Sequence, residues 1–227
     1  MSKKAWIIFS VVVVALLGGL VYLSSKDKID VSQVNEKSVL AASDKNGNIA
    51  DHVYGKKNSK VILIEYGDFQ CPGCAGAHPQ VKAITEEYKD KIAFVFRNFP
   101  LTNIHPNARA AAAAVEAAGL QGKYWEMNNL VYDNQDNWKD ASTDQRDSLF
   151  TQYAVEAGVN KDKFTQALAN ATISKKISFD QALGKKVRVS GTPTFFLNGT
   201  LVNESVTNNI IQSDGSQLKK LLDEALK

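Results

Sequence analysis

The sequence is sparing with the residues that build metal centres: 227 residues contain only two cysteines and three histidines. A structural zinc site needs four ligands, and His52, His78 and His105 stand at no ordinary ligand spacing from Cys71 and Cys74. No cysteine lies near the end of the N-terminal apolar run, which excludes a lipid-modified N-terminus. Charge of one sign is missing too. The 27 Lys and Arg residues are interspersed with 24 Asp and Glu residues, leaving a net charge of +3 and no basic stripe, so nucleic-acid binding gets no support. There is no internal repeat, no recognisable calcium loop and no low-complexity tract beyond the alanine-rich run from Ala108 to Ala118, for which high helix propensity suffices. What remains is an ordinary globular balance, 44% hydrophobic and 22% charged, which excludes disorder and collagen and suits one domain with a sizeable core.

At the N-terminus Lys3 and Lys4 precede an uncharged apolar run from Ala5 to Leu23, after which Ser24, Ser25, Lys26 and Asp27 turn polar at once. As a helix that run spans roughly 28 Å, close to a bilayer core of about 30 Å and longer than a signal-peptide apolar region. Cleavage after Ser24 or Ser25 would put Tyr22 or Leu23 where a small side chain is wanted, so residues 1–25 read as a retained membrane anchor, with a cleaved signal or a buried core helix as the alternatives. Lys3 and Lys4 are matched by Lys26 and Lys28, so charge alone does not set the orientation. Residues 26–50 are polar with isolated apolar positions and read as a linker. The domain then covers residues 51–227.

Val61 to Tyr66 is a β-branched strand pattern, and Cys71 follows it within a few residues. A helix is expected from Cys71 to about Tyr88, with Val81, Ile84 and Tyr88 on one face and Pro79 predicting a kink. Ile92 to Phe99 is the next strand, and a strand, helix, strand unit of this length most economically makes two parallel neighbours. A helical insertion at about 104–188 follows. Thr194 to Leu197 and Thr200 to Val202 flank an Asn198-Gly199 hairpin signal, and Leu218, Leu221, Leu222, Ala225 and Leu226 mark a closing amphipathic helix.

The chemistry concentrates in Cys71-Pro72-Gly73-Cys74. Two cysteines three apart at a helix start can bring their sulfurs together without breaking the first turn. The first sulfur faces unpaired N–H groups and the positive helix end, which favours a thiolate, so Cys71 is the exposed attacking sulfur and Cys74 the deeper, resolving one. Pro72 needs no N–H partner at an early helical position. Two other readings compete. One is a metal site of Cys71, Cys74 and His78, against which His78 reads as an exposed helix residue. The other is a structural disulfide, which would close a very small loop and constrain the unfolded chain little. Glu65 lies on the same strand face as Val61 and Leu63, where burial would raise its pKa and let it exchange a proton with Cys74. The alternative is a solvated edge charge or a partner for a lysine.

The ordered set Glu65 to Cys74, Arg97-Asn98-Phe99-Pro100-Leu101, His105 to Arg109 and Gly191-Thr192-Pro193-Thr194 through Gly199 resembles the DsbA-like thiol:disulfide oxidoreductases of the thioredoxin superfamily, in particular membrane-tethered members. The resemblance covers roughly residues 51–227. It implies an α/β thioredoxin-like fold with a large inserted helical domain capping the redox site. It also implies a cis Pro193 facing the cysteines, a Thr192 backbone that holds an extended substrate segment, and a substrate surface that includes Pro72 and Gly73. Gly73 departs from the His that strong oxidases of the family place before the second cysteine, which puts the potential between the extremes of about −270 and −120 mV. The implied function is a dithiol oxidase that needs no cofactor, sits in the cell membrane by a single pass with its catalytic domain outside the cytoplasm, acts on unfolded or reduced secreted proteins, and is reoxidised by a quinone-linked membrane thiol oxidase. A disulfide reductase or isomerase, or a metal-handling module on the same fold, are the alternatives.

Overall fold

A computed structural model of the chain describes residues 3–26 and 29–227. It divides into two units, residues 1–30 and 31–227. The first contains a single helix, α1 (Lys3–Lys26). Among the described residues no helix is long and apolar enough to cross a membrane. The side chains of Lys3, Ala5, Ile8 and residues 20–26 fall outside the described set, so the anchor expected over residues 1–25 lies partly outside the described residues.

The second unit is built on a five-stranded sheet of β1 (Val53–Gly55), β2 (Ile62–Gly67), β3 (Ala93–Asn98), β4 (Thr194–Leu197) and β5 (Thr200–Leu201), in the order β1-β3-β2-β4-β5. Strands β2 and β3 are parallel, with α2 (Pro72–Glu87) as their crossover, as the spacing predicts. The remaining pairs are antiparallel. Every β2 residue after Ile62 is buried, because helices cover one face and the helical insert the other. The β4–β5 turn has positive φ at both Asn198 (50°) and Gly199 (78°), the conformation a two-residue hairpin requires.

Cys71 takes an extended conformation as N-cap of α2, and Pro72 occupies the first helical position. The helix passes through Pro79, on its exposed side, as one continuous element, and buries Cys74, Ala77, His78, Val81, Ile84 and Thr85. Together with α9 (Glu204–Ile211) and α10 (Ser216–Ala225) it packs a core of Leu63, Ile84, Phe195, Ile210, Leu218 and Leu222. Between β3 and β4 run α3 (Ala108–Gly119), α4 (Tyr124–Asp133), α5 (Gln135–Trp138), α6 (Thr143–Glu156), α7 (Lys161–Leu168) and α8 (Ala171–Lys186). Their own core, around Met127, Val131, Trp138, Phe150 and Phe164, reaches Phe69, Phe96 and both cysteines. The alanines of α3 serve packing as well as propensity: Ala111, Ala112, Ala114, Ala117 and Ala118 are all buried.

Residues 31–50 are not a free linker. Arg97, fully buried, donates to the Glu36 and Ser38 carbonyls (2.6 and 2.8 Å) and pairs with Asp51 (2.8 Å). Lys176 bonds both Asp51 (2.9 Å) and Asp180 (2.8 Å), and Lys186 pairs with Glu36 (2.8 Å). A Cβ on Gly199 would lie 2.4 Å from Lys37, and one on Gly47 only 2.2 Å from the carbonyl of Thr172 on α8. The folded unit therefore starts near Val31, some residues ahead of the boundary expected at Asp51, because the cations that anchor the segment come from β3 and α8.

Candidate active site

Strand β2 delivers Glu65 and the loop after it delivers Cys71, so both stand beneath the start of α2. The two cysteines are free thiols. Cys71 is 8% exposed and Cys74 1%, so the expected exposed sulfur is largely covered, though it is the more accessible of the two. The Thr192–Pro193 peptide is cis, and Cys71 Sγ donates to the Thr192 carbonyl at 3.2 Å. The Cys71 thiol is held down at about 5, chiefly by the hydrogen bond from Cys74. Burial opposes the shift, while Thr192 and the N–H groups of Cys74 and Gly73 add to it. Thr192 Oγ1 is buried and has no hydrogen-bond partner in the protein. Cys74 goes the other way: burial, then its hydrogen bond to Cys71 and the Cys71 charge, push its thiol up, and its sulfur accepts from the Asp68 N–H at 3.5 Å. One sulfur is poised as a thiolate and leaving group, the other as a thiol.

Glu65 is 4% exposed, which removes the solvated-edge reading, and no ion pair to a lysine forms at it among the described residues. Burial first and the Cys71 charge second raise its carboxyl to about 8. A Cβ at Gly73 would meet Pro193 Cδ at 3.4 Å and Cys71 Sγ at 3.7 Å, so this position abuts both the sulfur and the cis-proline without crowding them. His78 was expected on the surface and is instead 9% exposed, stacked on Tyr132 (4.7 Å between rings) and lowered to about 4 by burial. Among the described residues no three His, Cys, Asp or Glu side chains form a group that could hold a metal.

A set of polar side chains that sequence reasoning missed holds the cysteine loop against the insert. Asp68 accepts from the Gln70 and Leu101 N–H groups (both 2.8 Å) and meets His105 Nδ1 at 2.7 Å. Gln135 donates to the Phe69 and Cys71 carbonyls (2.7 and 3.2 Å), and Gln70 Oε1 accepts from the Asn107 N–H (2.6 Å). The signal available was the polar run Asp68-Phe69-Gln70 beside the cysteines and His105-Pro106-Asn107 downstream. Nothing local says that these two stretches meet.

Comparisons with known proteins agree with this geometry. The thioredoxin family profile matches residues 47–214. A probable disulfide bond formation protein D of Bacillus cereus is 30% identical over 228 residues, covering 97% of this chain and 95% of that one. The Na(+)/H(+) antiporter NhaA 3 of Salinispora tropica is 38% identical over 149 residues, 66% of this chain, and the chain spans only 22% of the antiporter's length. Among solved structures, oxidised BdbD from Bacillus subtilis superposes with a TM-score of 0.65 at 20% identity, over 83% of this chain and 97% of that one, a likeness of fold. With a family profile over most of its length and a full-length relative beside it, the chain belongs to the thioredoxin family, in its DsbA-like branch.

Proposed function

We propose that this protein is a protein disulfide oxidoreductase working as a dithiol oxidase outside the cytoplasm, with Cys71 and Cys74 as its redox pair and the Ala5–Leu23 run of α1 as its membrane anchor. The observation that carries the reading is the opposed pair of thiols, one held down at about 5 beside the cis Thr192–Pro193 peptide and one buried and pushed up next to Glu65. In the oxidised state a substrate thiolate attacks Cys71 Sγ and the Cys71–Cys74 bond breaks. Its electron pair goes to Cys74, which takes the proton of the Glu65 carboxyl. A second substrate thiolate then attacks the substrate sulfur of the mixed disulfide, and Cys71 leaves as the stabilised thiolate. The substrate is oxidised by two electrons and the pair reduced. Reoxidation runs the same steps backwards against a partner disulfide, for which a quinone-linked membrane thiol oxidase is the chemical fit. The Thr192 carbonyl and the surface of Pro72, Gly73 and Pro193 are the place for an extended segment of an unfolded secreted protein.

The full chain in detergent, equilibrated with glutathione buffers and quenched by alkylation, tests the direction. A potential above about −180 mV supports the oxidase, and one near or below about −250 mV makes the protein a reductase. Retention of the chain in a carbonate-washed membrane fraction, with the domain open to protease added outside intact cells, tests its placement.

A further inference from the structure

The cysteines stand past the C-terminal end of β2, and the opposite end of the same sheet is a platform of lysines. The turn between β1 and β2 carries Lys56, Lys57 and Lys60, the turn between α2 and β3 carries Lys89 and Lys91, and all five are exposed. The two turns are fastened together. The Lys56 N–H donates to the Ile92 carbonyl (2.8 Å) and Ser59 Oγ to the Lys91 carbonyl (2.6 Å). Gly55, at φ 86°, allows the close approach, since a Cβ there would lie 2.7 Å from the Ile92 carbonyl oxygen and 2.8 Å from that of Lys89. Lys91 lies over the Tyr88 ring, 5.3 Å from its centre, and the stem of the exposed Lys37 packs on Gly199 at the neighbouring β4–β5 turn. Of the acids in these turns and the last turn of α2, Glu86 is paired with Lys89 and Glu87 with Lys219, which leaves Asp90; Asp223 of α10 accepts from the Tyr88 hydroxyl. Lys56, Lys57, Lys60 and Lys91 form no ion pair among the described residues. Where α5 and α6 adjoin the cysteine loop the exposed charges are mostly acids: Asp136, Asp140 and Asp144 line one shallow depression, with Lys139 as the cation beside them.

On the reading above, the chain leaves the bilayer at Leu23 and enters the folded unit at Val31, eight residues on. Eight residues span at most about 27 Å, less than the roughly 40 Å width of a folded unit of this length, so the unit stays beside the membrane and turns one face or another to it. We propose that the lysine platform docks on the anionic lipid headgroups of that membrane, which holds the redox site facing away from it. Charge complementarity selects the face. Phosphate-bearing headgroups attract unpaired ammonium groups fixed on one stapled surface and repel the acids beside the cysteines, and at physiological salt this acts only within about 8 Å. The cysteines then stand farther out by the length of β2, roughly 20 Å, open to polypeptide arriving from solution. A membrane partner that reoxidises them must project a segment at least that far. The inference rests on the anchor proposed above.

The test places the full chain in nanodiscs of phosphatidylcholine, with or without phosphatidylglycerol, and maps lysine acetylation after a brief pulse of N-hydroxysuccinimidyl acetate by mass spectrometry. Lys56, Lys57, Lys60 and Lys91 should label roughly threefold less in the anionic discs, and about 1 M salt, with a screening length of about 3 Å, should abolish the difference. Lys161 and Lys163, exposed on α7, should label alike in both. The triple variant Lys56→Gln, Lys57→Gln, Lys60→Gln should exchange disulfides with glutathione at the unaltered rate while Lys91 loses its protection. Equal labelling of the platform in the two kinds of disc, protection that falls on Lys161 and Lys163 instead, or protection of Lys91 that survives in the triple variant overturns the docking and leaves the anchor standing. A chain that elutes apart from both kinds of disc sinks the anchor, and the docking with it.

Discussion

Glu65 sits where its charge is least welcome, and its stability consequence can be signed. The folded carboxyl titrates at about 8 against 4.5 for the free group, so its contribution is fully present below about pH 4.5 and is lost as pH rises through about 8. At pH 7 the penalty is about 3 kcal/mol. Glu65→Gln should therefore stabilise the reduced protein by about that amount at pH 7 and hardly at all at pH 4, as read by urea unfolding at the two pH values. Cys71 has the opposite sign. Its pKa, lowered from 9 to about 5, adds stability to the reduced form that is fully present above about pH 9 and is lost progressively as pH falls through about 5. Between pH 5.5 and 7 reduction then consumes two electrons and one proton, that of Cys74, so the potential should fall by about 30 mV per pH unit; below pH 5 the slope should double. A glutathione titration repeated across that range checks it, and a uniform slope of about 59 mV per unit would mean that Cys71 is a thiol throughout. Cys71, Cys74 and Glu65 are singled out by neighbours within a few residues along the chain, whereas the cis Pro193 beside them was implied only by the family resemblance. His78 was not legible: helical spacing puts it beside Cys74, but whether that face meets solvent depends on Tyr132 of α4, more than fifty positions on.

Among the elements, the loop into α3 carries the strongest polar clamp. The Asn107 amide donates to the carbonyls of Trp138, Lys139 and Ala141 (3.3, 3.1 and 3.0 Å) and accepts from Arg146 (2.7 Å). Asn107→Ala would strand several of these groups at a 7% exposed position and should cost about 2 kcal/mol, seen as a lower urea midpoint with an unchanged slope. Strands β2 and β3 and helix α2 could be read from the sequence, since β-branched runs flank an amphipathic helix. Strand β1 is three residues long and exists only by pairing with β3, so no periodicity announces it. Helix α9 did leave a signal that went unread: Asn203 caps it by accepting from the Ser205 N–H at 2.9 Å.

For the whole molecule, the segment from Val31 to Asp51 is structural. Burial works against an ionised Asp51, yet Lys176 and Arg97 together hold its carboxyl at about 2. Removing residues 1–52 would leave two buried cations without that carboxylate, a loss of about 3–5 kcal/mol or more, whereas a chain starting at Val31 keeps the cluster. The longer form should unfold cooperatively and the shorter should not, as followed by circular dichroism in urea. The polar, turn-rich sequence of this segment reads as a linker because its partners, Arg97, Lys176 and Lys186, are far along the chain and look like surface cations until the fold buries two of them.

The place of β2 in the sheet also sets an order of assembly. One of its edges is satisfied early by β3, but the other waits for β4, and the Ile62 N–H waits for Asn198 Oδ1 at 2.8 Å, across the whole length of the insert. During synthesis the strand that carries Glu65 therefore has an open edge until the six insert helices have been made, and contacts of such long sequence separation close slowly. Cys71 meets Thr192 only at that late stage. A nascent chain thus lacks the Thr192 contribution to the lowered Cys71 pKa through most of its elongation, and gains it only when the last strands arrive.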